Sequence, residues 1–189
     1  MNKKKLPKYL TVEEMRLLFN TPYKSNTVHI MIMQLMGRCG LRISEAVCLK
    51  LEDLEKHPKY IILTVRGGKG SKDRVVPCPN DLYDMIVEHT QHHKLGTTDY
   101  LFQGIDTEHY TEGAARKMVK RYGKRAGIAK DIHPHTLRHS FAVSQLKAGV
   151  NIKNLQHMLG HEHLSTTSIY LDLTQEDMFE DFLKHPVVF

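Results

Sequence analysis

The sequence predicts a mainly α-helical domain with one small antiparallel β-sheet. Three observations predict it. Apolar residues recur at helical spacing over most of the chain. One stretch, and one only, reads as a strand pair around a glycine-rich turn. The length of 189 residues, 41% hydrophobic and 25% charged, suits one ordinary globular domain over 1–189.

The elements follow in order. Thr11-Val12-Glu13-Glu14 has capping-box spacing and starts a first helix, with Met15, Leu18 and Phe19 at helical period. A second helix covers 27–36, rich in Ile and Met. Gly37 and Gly40 punctuate a short loop. Ser44 or its neighbour then caps a third helix running through Leu51. Residues 60–65 read as a strand and 74–76 as its partner, with Gly67-Gly68-Lys69-Gly70 supplying a turn that accepts positive φ. That turn is not a nucleotide-binding P-loop: Leu63 stands where its first glycine belongs, and Gly70 follows Lys69 in place of Ser or Thr. Past Pro79, helices are expected near 81–93, 112–125, 136–148, 152–159, 165–171 and 176–184. The apolar stripes at 28–36 and 141–146 belong to the core.

Composition narrows the function. Lys and Arg number 27 against 21 Asp and Glu, a net charge of +6. A surface with a pI near 9.2 attracts polyanions, nucleic acid first. No apolar run approaches the roughly 20 residues of a membrane-spanning helix. Lys3, Lys4 and Lys5 are followed by no apolar stretch of a secretory signal. The cysteines Cys39, Cys48 and Cys78 form no Cys-x-x-Cys pair, so neither a disulfide framework nor a cysteine zinc site fits. A cytoplasmic, reducing location is the expectation. His133, His135 and His139, or His161 with His163, offer imidazoles, but no Cys lies near and no His-Glu-x-x-His occurs; no metal site is expected.

Four separated segments carry polar residues that a plain helical domain does not require. They are Gly40-Leu41-Arg42-Ile43-Ser44-Glu45, Gly68-Lys69-Gly70, His133-Pro134-His135-Thr136-Leu137-Arg138-His139, and the run from Leu159 to Tyr170. Singly, each suits a solvated surface. Together and in this order the chain resembles the tyrosine recombinase (phage integrase) family, from about Leu6 to Leu171. Gly40-Leu41-Arg42-x-Ser44-Glu45-Ala46 resembles the family's first arginine box, and His135-x-x-Arg138 the second. Leu159-Gly160-His161, with Thr166-Thr167 and Tyr170 beyond, resembles the third; Tyr170 follows His161 by nine positions, as in Xer-like members.

The resemblance implies the catalytic-domain fold of that family and a catalytic set of Arg42, Lys69, His135, Arg138, His161 and Tyr170. Glu45 matches the supporting acid. The residue types suit cleavage of a DNA phosphodiester. A phenol of pKa near ~10 is a nucleophile that needs help at neutral pH. Two guanidinium forks suit non-bridging phosphate oxygens. His135 is expected to assist proton removal from Tyr170, His161 to donate to the phosphate, and Lys69 to protonate the departing 5′-oxygen. Lys72 competes for that last role. A phosphotyrosine ester conserves the energy of the broken bond, so no ATP is expected; the arginines, lysine and histidines take the place of metal as the charge source, so no metal or other cofactor is expected.

Lys72 and Arg74 beside the turn, and Lys117, Lys120, Arg121, Lys124 and Arg125 at helical spacing, read as a DNA-facing set. Partners expected are double-stranded DNA and further copies of the chain, a monomer in solution assembling as a tetramer on DNA. The residues 174–189, with Met178, Phe179 and Phe182 at helical spacing, are expected to pack in cis or on a neighbouring protomer. The separate N-terminal domain of most family members is expected to be absent. Asp172 stands where many members carry His. Two rival readings share the scaffold: a type IB topoisomerase that reseals the same strand, and a catalytically idle DNA-binding protein.

Overall fold

The computed structural model describes residues 8–21, 26–67, 73–161 and 167. Lys69, Lys72, Tyr170 and the helices expected at 165–171 and 176–184 lie outside the described residues, apart from Thr167.

Helix α1 spans Val12–Asn20. Its capping box is present: the Glu14 N–H donates to Thr11 Oγ1 at 3.2 Å and the Thr11 N–H to Glu14 Oε2 at 2.8 Å. Helix α2, Thr27–Arg38, runs two residues past the expected end. Gly37 is therefore helical, not loop. A Cβ there would lie 2.5 Å from Met15 Cε and 2.9 Å from Phe19 Cζ, so the glycine serves close packing of α1 on α2. Helix α3, Ile43–Val47, is one short turn capped by Arg42 and ends well before Leu51. A 3-10 turn, Leu51–Asp53, takes the rest.

Among the described residues the sheet has three antiparallel strands in sequence order. Strand β1 is Leu54–Lys56, β2 Ile61–Val65 and β3 Arg74–Cys78. The pairing of β2 with β3 sets Leu63 opposite Val76 and Val65 opposite Arg74. Beyond them lie α4 (Asn80–His93), α5 (Glu112–Arg125), α6 (Pro134–Lys147) and α7 (Ile152–Leu159). Helix α6 starts two residues earlier than the sequence suggests, because Pro134 fits a first helical position where no N–H is needed.

Helix α2 is the axis of the core. Met31, Ile32, Met33, Leu35 and Met36 are fully buried, and α2 packs on α1, α3, α4, α5 and α6. The hydroxyl of the buried Tyr122 is satisfied within this core: it pairs with His29 Nδ1 at 2.9 Å. A second cluster, Phe141, Ala142, Val143, Leu155 and Leu159, fastens α7 to α6. These two clusters bring the start of α3, the start of β3, helix α6 and the C-terminal end of α7 to one place.

Candidate active site

Gly40 opens the site. Its φ is +69°, and a Cβ would lie 2.5 Å from the Phe141 ring, so only glycine makes this turn. The turn aims the Gly40 carbonyl at Arg138, whose Nη1 donates to it at 2.6 Å. Two residues on, Arg42 caps α3, and its N–H donates to Glu45 Oε2 at 2.6 Å.

Glu45 is the hub. Oε1 accepts from Arg42 Nη1 at 2.8 Å and from Arg74 Nη1 at 2.8 Å. Oε2 accepts from Arg74 Nη2 at 2.7 Å, with Arg138 Nη1 standing off at 3.9 Å. Burial pushes this carboxyl up, but the hydrogen bonds from Arg74 and Arg42 and the Arg74 charge outweigh it and hold the pKa at about 2. Glu45 is thus ionised across the working pH range.

The same three guanidinia grip the end of α7. Arg74 Nε donates to the Met158 carbonyl at 2.8 Å, Arg138 Nη2 to that of Leu159, and Arg42 Nη2 to that of Gly160 at 3.1 Å. Three successive carbonyls that a helix leaves unpaired each receive a cation, which also suits the negative end of the helix dipole. Gly160 ends α7 at φ +59°, and a Cβ would lie 2.9 Å from Arg74 Cδ.

His161 follows directly. Its Nδ1 pairs with Thr167 Oγ1 at 2.9 Å, and its carbonyl accepts from Gln156 Nε2 at 3.0 Å. Burial first, then the charges of Arg138 and Arg42, push its pKa down to about 4. His135 stands on the first turn of α6, surface-exposed; partial burial and the charges of Arg138, Arg116 and Arg42 lower its pKa. His139, one turn on, is pushed down to about 4 by burial, His135 and Arg138. All three imidazoles are neutral at pH 7.

The structure therefore brings Arg42, Glu45, Arg138 and His161 together, with His135 at the edge. Lys69, Lys72 and Tyr170 lie outside the described residues. The neck of the hairpin is described: the Gly67 N–H donates to Asp73 Oδ1 at 2.9 Å, and Arg66 Nε to the buried Asp53 at 2.5 Å. Arg74, grouped in the sequence with the DNA-facing cations, lies inside the hub with its side chain 10% exposed. Lys117, Lys120, Arg121, Lys124 and Arg125 occupy the solvent face of α5, opposite the buried Ala115, Met118, Val119 and Tyr122. Lys120 lies 3.8 Å from Asp131, and Arg121 lies over the Tyr122 ring at 5.2 Å. Residues that the sequence did not single out for the site are Arg116, whose charge reaches His135, and Gln156. Among the described residues no group of three His, Cys, Asp or Glu side chains is placed to hold a metal ion, and no helix is long and apolar enough to cross a membrane.

Comparison with known proteins agrees with this geometry. The model of the phage integrase family matches residues 8–177. A tyrosine recombinase of Pseudothermotoga lettingae is 36% identical over 178 residues, which cover 94% of this chain and 60% of that protein. Tyrosine recombinase XerA of Pyrococcus furiosus is 38% identical over 180 residues, covering 94% of this chain and 61% of its own. The chain thus spans about three fifths of these relatives. Among solved structures, XerA recombinase superposes with a TM-score of 0.82 at 31% identity, covering 99% of this chain and 68% of that one. XerH recombinase bound to a palindromic difH substrate in a post-cleavage complex also gives 0.82, at 25% identity, covering 94% of this chain and 53% of that one.

Proposed function

The chain belongs to the phage integrase family, and on that premise we propose that it is a tyrosine site-specific recombinase. It cleaves and rejoins double-stranded DNA through a 3′-phosphotyrosine link. The observation that carries the reading is the pair of arginines, Arg42 and Arg138, fixed side by side around one buried carboxylate.

The roles follow from the chemistry. The Tyr170 oxygen attacks phosphorus, a tyrosyl–phosphorus bond forms, and the bond to the 5′-oxygen breaks. His135, neutral at pH 7 because of burial and neighbouring arginines, takes the phenol proton. Lys69, or Lys72, gives a proton to the departing 5′-oxygen. Arg42 and Arg138 stabilise the charge that grows on the non-bridging oxygens, and neutral His161 donates a hydrogen bond there. Rejoining reverses each step on a partner strand, so no nucleotide cofactor enters. Lys117, Lys120, Arg121, Lys124 and Arg125 meet the DNA backbone. Protomers assemble on DNA as a tetramer, with 174–189 docking on a neighbour.

The test is a suicide duplex, nicked so that the cleaved end diffuses away. A pool of duplexes from the native flanking DNA is incubated in EDTA with wild type and Tyr170→Phe, then run on a denaturing gel. A covalent band with wild type alone is expected. A band that survives Tyr170→Phe overturns the nucleophile. Mixing two sites and finding exchanged products separates recombination from simple relaxation.

A further inference from the structure

We propose that Arg74 is a positioning residue whose two-point contact neutralises Glu45, so that Arg42 and Arg138 keep their charge for a DNA phosphate. The inference rests on the strand-cleavage reading above and deepens it.

The distances assign the partners. Arg74 gives Glu45 a full fork, one nitrogen to each oxygen at 2.8 and 2.7 Å. Arg42 gives it one guanidinium nitrogen, and Arg138 stands 3.9 Å away. The dominant counter-charge of Glu45 therefore comes from β3, and from neither arginine assigned to the phosphate. A third donor, Nε on the Met158 carbonyl, fixes the plane of the fork. The side chains of Arg74 and Glu45 are 10% and 9% exposed, so water does little to screen the pair.

The charge count gives this placement its meaning. Three guanidinia and one carboxylate leave the cluster at +2. A phosphodiester carries one negative charge, and the five-coordinate transition state approaches two. A cluster of +2 favours the transition state over the ground state, which is the condition for faster chemistry. Without Arg74 the cluster falls to +1, and the buried Glu45 draws its remaining partners, Arg42 and Arg138, toward itself. Arg74 thus acts through two other side chains and does not touch the substrate.

The test compares wild type, Arg74→Gln and Arg74→Lys on two duplexes. One carries an ordinary phosphodiester at the scissile position mapped with wild type. The other carries an uncharged methylphosphonate there. On the phosphodiester, Arg74→Gln is expected to slow adduct formation about 10²-fold, the scale of losing one charge-stabilising group. Arg74→Lys, which restores the charge without the fork, recovers about tenfold of that loss. On the methylphosphonate the three proteins are expected to fall within about threefold, because its transition state carries only about one negative charge, which the +1 cluster left without Arg74 already balances. Equal losses on both linkages, or no loss on the phosphodiester, overturn the proposal. Should Arg74→Gln fail to fold by circular dichroism, the same two ratios are read from Arg74→Lys. Absence of any adduct with wild type sinks the cleavage reading instead. Arg74 is then judged by calorimetric titration with inorganic phosphate at pH 8. Weaker binding by Arg74→Lys supports it, and unchanged binding overturns it.

Discussion

Two arginine–carboxylate forks flank the Gly40 turn, and they have the same geometry. Arg38 at the end of α2 meets Asp81 at 2.7 and 2.8 Å. Arg74 at the start of β3 meets Glu45 at 2.8 and 2.7 Å. They differ in their surroundings. The first pair has side chains 32% and 67% exposed, the second 10% and 9%. Water screens the first fork, and removing either of its partners leaves a charge that water can hydrate. In the second, loss of a partner strands a charge among arginines or beside helix carbonyls. Bond lengths alone say nothing of this difference; solvent access decides it.

The two forks should differ most when each loses its carboxylate. Glu45→Ala removes the buried carboxylate around which Arg42, Arg74 and Arg138 gather and is expected to cost about 3–5 kcal/mol in urea unfolding. Asp81→Ala is expected to cost less than about 1 kcal/mol and to leave adduct formation at the wild-type rate. Equal costs for the two would show that burial does not govern these forks.

Acid unfolding sharpens the same contrast. The Glu45 carboxyl titrates at about 2 in the folded protein against 4.5 unfolded. Its contribution is present above pH 4.5 and is lost as pH falls toward 2, on the order of 3 kcal/mol in all. His139 and His161 are held at about 4 against 6.5. Their protonation favours the unfolded chain, so that contribution is present above 6.5 and lost as pH falls toward 4. The profile of stability against pH should therefore decline in two stages. Glu45→Gln removes the lower stage and keeps the upper one. A variant that keeps both stages would place the lower one elsewhere.

Much of this arrangement is legible in the sequence, and the reason differs by element. Helices α5 and α7 have the expected bounds because local chemistry marks them: Thr111 and Asn151 cap their starts, and Gly160 stops α7. Strand β1 is invisible in the sequence, since it has three residues, two of them the exposed, charged Glu55 and Lys56. It exists by pairing with Ile61–Val65, a tertiary cause. Arg42, Glu45, Arg138 and His161 are readable as ordered motifs. The place of Arg74 is not. Its partners Glu45 and Met158 lie 29 and 84 positions away, and nothing local distinguishes it from the surface cations around it.

A third comparison isolates the contact between α7 and the hub. Gly149 and Gly160 both hold positive φ just past a helix, at +82° and +59°. Among the described residues nothing lies within 4 Å of a Cβ at Gly149, whereas one at Gly160 meets Arg74. Gly149→Ala is expected to cost about 1 kcal/mol, the backbone strain alone. Gly160→Ala is expected to cost roughly twice that and to slow adduct formation, because the Arg74 side chain must move. Matching costs in thermal melts, with unchanged adduct formation, would mean that Arg74 yields freely.

The smallest effect concerns the other group of cations, those of α5. Lys117 and Lys124 are exposed on a face whose opposite side is core. Among the described residues neither has a buried partner whose charge would be stranded by its loss, so Lys117→Ala with Lys124→Ala should leave stability within about 0.5 kcal/mol. Their proposed work lies on DNA. If wild type neutralises about six phosphates, log affinity falls with log salt at a slope near about −5, and each lysine lost reduces that slope by about one. The double variant should thus bind weakly and with less salt dependence, yet melt as wild type does. Gly160→Ala, which removes no charge, should do the reverse, melting early while keeping the wild-type slope. A slope unchanged by the α5 double variant would take those lysines off the DNA and leave the hub to account for binding without them.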